Sequence, residues 1–146
     1  MCAFVTTKGR YAVRVLIDLA EHRDDGRVPL KEIAERQGIS QKYLESIMAL
    51  LVKAGLVEGA HGKGGGYELC IEPRDITVGS VLRITEGGIT PVACIQGGKV
   101  NCDRAPSCKT LPMWQKLDEI VNGYLDTVTI QDLTGVGLCP NVILPE

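Results

Sequence analysis

The feature that most constrains this 146-residue chain is a pair of short apolar-striped stretches separated by Gly38-Ile39-Ser40. Before the break, Leu30, Ile33 and Ala34 recur at helical spacing, behind a Pro29 placed where a helix start tolerates a missing N–H. After it, Leu44, Ile47, Met48, Leu51 and Val52 recur at three and four. Gly38 suits a left-handed helix stop and Ser40 a helix N-cap. The spacing therefore predicts helices over 30–37 and 41–54, and two helices joined by so short a turn form a helix-turn-helix. The polar outer face of the second shows Gln41, Lys42, Glu45, Ser46 and Ala49.

On either side the pattern continues. Ala12, Val13, Leu16, Ile17, Leu19 and Ala20 predict a first helix over 7–21, closed by the polar turn Asp24-Asp25-Gly26. Leu56-Val57-Glu58 and Tyr67-Glu68-Leu69-Cys70-Ile71 read as two short strands, and the eight residues 59–66 between them include five glycines. A phosphate-binding loop needs Ser or Thr after Gly-Lys, whereas Gly64 follows Lys63, so nucleotide binding is not indicated. A hairpin tip is the better account: glycines let backbone approach a sugar-phosphate strand closely, and His61 or Lys63 can enter a minor groove. Helices followed by such a hairpin make a winged helix-turn-helix, a mainly α fold with one small β-hairpin. The helix-turn-helix pattern alone would equally suit an ordinary corner of a helical bundle.

Farther along, Thr77 is placed to cap a helix over 78–85, and a segment of roughly 25 residues follows, too long for an idle connection. A long helix is expected over 111–128, with Trp114, Leu117, Ile120, Val121, Tyr124, Leu125 and Val128 in one broad apolar stripe. That stripe is too wide for a lone surface helix: covering the N-terminal bundle would account for it, and packing on the same helix of a second chain is the reading preferred. Thr129 and Asp132 resemble a cap for a last short helix over 130–133. The expected division is a winged unit over 1–76, a cysteine segment with a dimerisation helix over 77–134, and a loosely held tail over 135–146.

Charge is distributed unevenly. Residues 1–63 carry ten Lys/Arg against eight Asp/Glu, and residues 64–146 six against ten, so only the first part favours phosphate. Hydrophobic residues make up 45% and charged ones 23%, which excludes disorder as the main state. No apolar run approaches the about 18–20 residues of a membrane span, and no secretory signal is evident, so a cytoplasmic protein is expected.

Of six cysteines, Cys94, Cys102 and Cys108 fall within fifteen residues, while Cys2, Cys70 and Cys139 are scattered. The gaps of seven and five residues do not match the short paired spacing of structural zinc sites. Thiolates on one loop suit an iron–sulfur cluster, and Lys99, Arg104 and Lys109 beside them would lower thiol pKa values and offset cluster charge. Three reduced thiols acting as a redox sensor without metal fit the spacing equally well. With only His22 and His61 in the chain, neither placed for a triad, a cysteine-nucleophile enzyme is not indicated.

Several short runs carry a resemblance: Thr7-Lys8-Gly9-Arg10-Tyr11-Ala12, Gln37-Gly38-Ile39-Ser40, Tyr43-Leu44-Glu45, Gly55-Leu56-Val57 and Gly64-Gly65-Gly66-Tyr67. In order, over about residues 6–134, they resemble the Rrf-two family of winged-helix regulators. The resemblance implies a homodimeric, non-enzymatic transcriptional regulator with crossed long helices and double-stranded operator DNA as its ligand. It places Gln41, Lys42, Glu45 and Ser46 in the major groove and His61 at a wing position occupied by arginine in the iron–sulfur branch. Lys8, Arg10, Lys42 and Lys63 are expected to meet phosphates. Cys94, Cys102 and Cys108 match the cluster-binding cysteines of the iron–sulfur and nitric-oxide-sensing branches, with a longer first gap, and imply an iron–sulfur cluster of the 2Fe-2S kind. The fourth ligand is open: Leu111 stands where one branch has histidine and Arg10 where another has a carboxylate. Cys2, Cys70, Cys139, a partner-chain group and an exogenous ligand are the alternatives. Gly87-Gly88-Ile89-Thr90-Pro91-Val92 resembles the branch governing cysteine metabolism, whose members lack the cysteine set. A cluster-free repressor answering to thiol oxidation or a protein partner is therefore the alternative reading.

Overall fold

Ser40 opens the second helix of the pair as its side chain predicts: its hydroxyl accepts from the backbone N–H of Tyr43 at 3.2 Å. Gly38 ends the preceding helix in the left-handed region, φ 65° and ψ 34°. In the computed structural model, which describes residues 5–135, these caps bound α2 (Leu30–Gln37) and α3 (Gln41–Lys53). Ahead of them runs α1 (Thr7–Glu21), and after them the hairpin β1 (Val57–Ala60) and β2 (Gly66–Leu69), paired antiparallel with Val57 opposite Leu69. Then come α4 (Val78–Glu86), a two-pair hairpin of β3 (Ile95–Gln96) and β4 (Lys99–Val100), α5 (Leu111–Leu125) and α6 (Ile130–Leu133). The architecture is mainly helical with a small antiparallel hairpin after α3, as the sequence predicts, and a second short hairpin, β3–β4, that it does not.

The core gathers what the apolar stripes promise. Ala12, Val15, Leu16 and Leu19 of α1, Ile33 of α2, and Leu44, Ile47, Met48 and Leu51 of α3 are buried together with Val57, Ile76, Val81 and Ile130. A second, smaller cluster of Val78, Leu82 and Ile89 is covered by Val13, Val121, Leu125 and Val128. The long-helix stripe is thus divided. Val121 and Leu125 face inward, whereas Met113, Leu117, Ile120 and Tyr124 are exposed, and no residue of α5 is fully buried.

α5 stops at Leu125, three residues short of the expected end at Val128. Backbone pairing takes the difference: Val78 N donates to Val128 O at 2.8 Å and Ile130 N to Ile76 O at 2.9 Å. Residues claimed by that extended bridge cannot stay in the helix. The capping box of α6 forms as expected, with Thr129 Oγ1 accepting from Asp132 N at 3.1 Å and Asp132 Oδ2 from Thr129 N at 2.9 Å. Cys2 and the tail beyond Gly135, with Cys139, lie outside the described residues.

α1 packs most extensively on α4. Thr6 supplies no side-chain cap to α1. Instead Glu86, the last residue of α4, brings its Oε1 to Thr6 N at 3.0 Å and Gly9 N at 3.2 Å, and it also takes the Thr6 hydroxyl. A carboxylate there satisfies orphan N–H groups and the positive end of the helix dipole together.

Candidate nucleic-acid interface and cysteine segment

Three helices and a hairpin leave one face with the chemistry of a nucleic-acid contact. α3 buries Leu44, Ile47, Met48 and Leu51 and leaves Gln41, Lys42, Glu45, Ser46 and Ala49 exposed. The amphipathic period turns every candidate base-reading side chain outward. Ser46 is partly committed, since its hydroxyl donates to Tyr43 O at 2.6 Å. A groove of about 530 Å³ separates α3 from the wing, and Glu45 on one side shares it with His61 and Tyr67 on the other.

The wing is held rather than loose. Val28 N donates to Tyr67 O at 2.9 Å and Tyr67 N to Val28 O at 2.8 Å, so the segment before α2 pairs with β2. Gly66 permits this: at φ 147°, a Cβ there would stand 2.5 Å from the Val28 carbonyl oxygen. Arg27 Nε bonds Glu68 Oε1 at 3.0 Å across the same edge. His61 and Lys63 are exposed on the tip. Sequence reasoning missed the Val28–Tyr67 pairing, because Val28, unlike Tyr67, belongs to no run recognisable as a strand.

Lys8 and Arg10 occupy the first turns of α1, Lys8 half-buried and Arg10 exposed. Arg10 borders a separate apolar groove of about 400 Å³ formed with Val5, Val78, Leu82 and Leu125. The structure therefore groups Arg10 with the α4–α5 side and not with the α3–wing groove.

The cysteine segment carries a piece of local structure that periodicity did not reveal. The seven residues between Cys94 and Cys102 hold the β3–β4 hairpin, turned by Gly97 and Gly98 at φ 58° and 77°. Ile95 anchors it at 1% exposure, and Asn101 N donates to Cys94 O at 2.7 Å. Cys108 sits just before α5, with Sγ 3.4 Å from the Thr110 hydroxyl. The Thr110 hydroxyl, then the backbone N–H groups of Thr110 and Leu111, hold its thiol below the ordinary value of 9.0 against the opposing effect of desolvation. Cys70, at the foot of the wing, is pushed the other way by desolvation and by Glu58 and Glu68.

Cys94 and Cys108 are half-buried and Cys102 exposed. The three fit an iron–sulfur cluster in kind, as soft donors on one segment with Lys99, Arg104 and Lys109 between and beside them. The structure sets them apart: among the described residues no three His, Cys, Asp or Glu side chains form a group able to hold a metal ion. No described helix is long and apolar enough to cross a membrane.

Comparison with known proteins agrees with this architecture. The Rrf2 family model, described as an iron-dependent transcriptional regulator, matches residues 5–135. The HTH-type transcriptional regulator IscR of Photobacterium profundum is 42% identical over 129 residues, covering 88% of this chain and 74% of that protein. Among solved structures, T. potens IscR superposes with a TM-score of 0.69 at 42% identity, covering 88% of this chain and 84% of its own. CymR, the global cysteine regulator of B. subtilis, gives 0.74 at 35% identity, covering 91% and 96%. With the family match spanning nearly all the described residues, the chain belongs to the Rrf2 family of helix-turn-helix transcriptional regulators, which are DNA-binding proteins and not enzymes.

Proposed function

We propose that this chain works in the cytoplasm as a homodimer that reads an operator duplex through α3 and the wing and reports iron–sulfur or redox status through Cys94, Cys102 and Cys108. The observation that carries the reading is the outward face Gln41, Lys42, Glu45 and Ser46, set beside a groove that the wing closes. That face offers amide, hydroxyl and charged groups to base edges in a major groove. Glu45 accepts from cytosine N4 and penalises bases that leave its charge unpaired. Lys42 and Lys63 neutralise phosphates on either side of the groove, with Lys8 and Arg10 added from α1. His61 enters the minor groove from the tip of the wing. The winged unit over 1–76 reads, and the remainder to 134 senses and dimerises.

Pairing rests on α5. Met113, Leu117, Ile120 and Tyr124 leave an apolar face uncovered, 56% and 66% exposed at the last two, and a second copy of the helix covers it. A two-fold dimer then presents two α3 helices about 34–36 Å apart, one turn of duplex.

Cys94, Cys102 and Cys108 are the residues that would hold the cluster. Bound there, it supplies a group whose presence and charge follow iron supply and oxidants. The chain's own part is to deliver the thiolates: hydrogen bonds from Thr110 lower the Cys108 thiol pKa just ahead of α5, and Lys99, Arg104 and Lys109 supply compensating charge. The second reading, a cluster-free regulator of cysteine metabolism, is favoured by the 0.74 TM-score to CymR, the global cysteine regulator of B. subtilis. Purification without oxygen decides between them. The sensing reading predicts a coloured protein with visible absorbance and matching iron and acid-labile sulfide. A colourless, iron-free protein that still binds DNA supports the second.

A further inference from the structure

Along α1, Tyr11, Arg14, Asp18 and His22 recur at intervals of three and four and so share one face. That face holds the end of α2. Asp18 is 2% exposed, the one buried charged side chain among the described residues. Arg36 grips it twice, Nε to Oδ2 at 3.0 Å and Nη2 to Oδ1 at 2.8 Å. Gln37 Nε2 donates to the same Oδ2 at 2.9 Å. The other end of the Gln37 amide is also taken, since Oε1 accepts from Arg14 Nε at 3.1 Å, and the Gln37 backbone carbonyl accepts from Arg14 Nη2. The Arg14 guanidinium in turn lies 5.1 Å from the centroid of the Tyr11 ring. Tyr11 meets Tyr43, in the first turn of α3, edge to face at 5.9 Å.

Gln37 is therefore held on three sides, and it is the last residue of α2, directly ahead of the Gly38-Ile39-Ser40 turn into α3. Burying a carboxylate and pairing it gains little stability over packing apolar groups in the same space. What such a network does supply is a unique geometry, because each amide and guanidinium atom has one partner to satisfy. Here the geometry fixed is the point from which α3 departs. Arg14, although exposed, has its guanidinium committed to Gln37 and Tyr11, which removes it from the cations open to phosphate.

We propose that Gln37, clamped between Asp18 and Arg14, is a positioning residue that sets the angle at which α3 meets the duplex, and so a determinant of sequence discrimination. This rests on α3 being the reading element. A tilt of the helix moves Glu45 and Gln41 off their base edges while phosphate contacts from flexible lysines adjust, so specificity falls before affinity does.

The test compares the wild-type protein with Gln37→Met and Asp18→Asn on two probes: a duplex enriched by the wild type from a randomised pool, and poly(dI-dC). Gln37→Met keeps the side chain's length and removes both polar ends. It should keep its helical circular dichroism and its affinity for poly(dI-dC), with an unchanged salt slope, while the ratio of specific to non-specific affinity falls about tenfold or more. Asp18→Asn should lower the ratio in the same direction, and it carries the comparison if Gln37→Met does not fold. Ile33→Val, which loses a buried methylene of α2 outside the network, should lower the melting temperature and leave the ratio alone. A ratio unchanged in the folded clamp variants, or lowered equally by Ile33→Val, overturns the proposal. Failure of the wild type to enrich any sequence overturns the reading of α3 itself, and the proposal with it.

Discussion

At the scale of single residues, the contact between α1 and α4 turns on Gly9. A Cβ there would overlap the Glu86 carboxylate and come 2.9 Å from Leu82 Cδ2. Alanine has the better helix propensity, by up to about 1 kcal/mol. Glu86 can yield only by giving up its hydrogen bonds to Thr6 and Gly9, and bonds to a charged acceptor contribute about 1.5–3 kcal/mol. The loss outweighs the gain, so Gly9→Ala should destabilise the fold by about 1–2 kcal/mol net. Glu86→Gln should cost less in that background than it costs alone, as denaturant melts of the single and double variants would show.

Asp18 sets the acid limit. Burial pushes its carboxyl up, but the hydrogen bonds from Arg36 and Gln37, with the charges of Arg36 and His22, outweigh burial and hold it below its ordinary 3.8. A depressed folded-state value contributes stability above the unfolded pKa and loses it as pH falls through the folded one. Stability attributable to Asp18 should thus be flat above about pH 5 and decline below about pH 4, and Asp18→Asn should flatten that decline in urea melts. Neither Gly9 nor Asp18 shows its role in the sequence. A glycine inside a helix reads as a weakness and an aspartate as solvated surface until the partner segment, far along the chain, is known.

At the scale of elements, the proposed reading divides the labour of binding between α3 and the wing, and two substitutions separate the shares. Glu45→Ala should relax base preference more than it weakens binding, because it removes a base contact and an unpaired-charge penalty. Lys63→Ala should weaken binding to all sequences alike and reduce the salt slope by about one. Titrations on selected and scrambled duplexes over a range of salt distinguish the two; identical profiles for both variants would contradict the division. The helices were legible because capping residues announce their ends: Ser40, Thr77, Thr129 and the left-handed Gly38 each sit at a boundary that the structure keeps. The strands shifted because their limits depend on cross-strand partners rather than on their own residues. Val28 pairs with Tyr67 from a segment with no strand signal, and Val128 to Ile130, past a turn at Asp126-Thr127, leave the helical pattern to pair with Ile76 to Val78. The β3–β4 hairpin hid inside a segment whose cysteines dominate its sequence, though Gly97-Gly98 between Gln96 and Lys99 is a hairpin-turn signal.

At the scale of the whole molecule, three rods link the parts. α1 carries the reading helices through the Asp18–Gln37 clamp, and α4 lies against it with Glu86 on the Thr6–Gly9 turn. One turn back along α4, Arg83 reaches to α5, bonding Asp126 at 2.7 Å and Asn122 at 2.9 Å. Asn122 also donates to Ile89 O at 3.0 Å, where the cysteine segment begins. α5 then ends the path in an apolar face that no described residue covers. The sequence showed that face as a single stripe, and only the fold reveals that Val121 and Leu125 pack inward while Ile120 and Tyr124 stand exposed.

The most direct measurement is therefore the mass of the protein–duplex complex by light scattering, with a selected duplex of about three helical turns. The account predicts two chains per duplex for the wild type, and for Ile120→Glu a monomer that has lost tight binding while keeping its melting transition. A wild-type complex of one chain per duplex, or an Ile120→Glu protein that binds as tightly as the wild type, would contradict it.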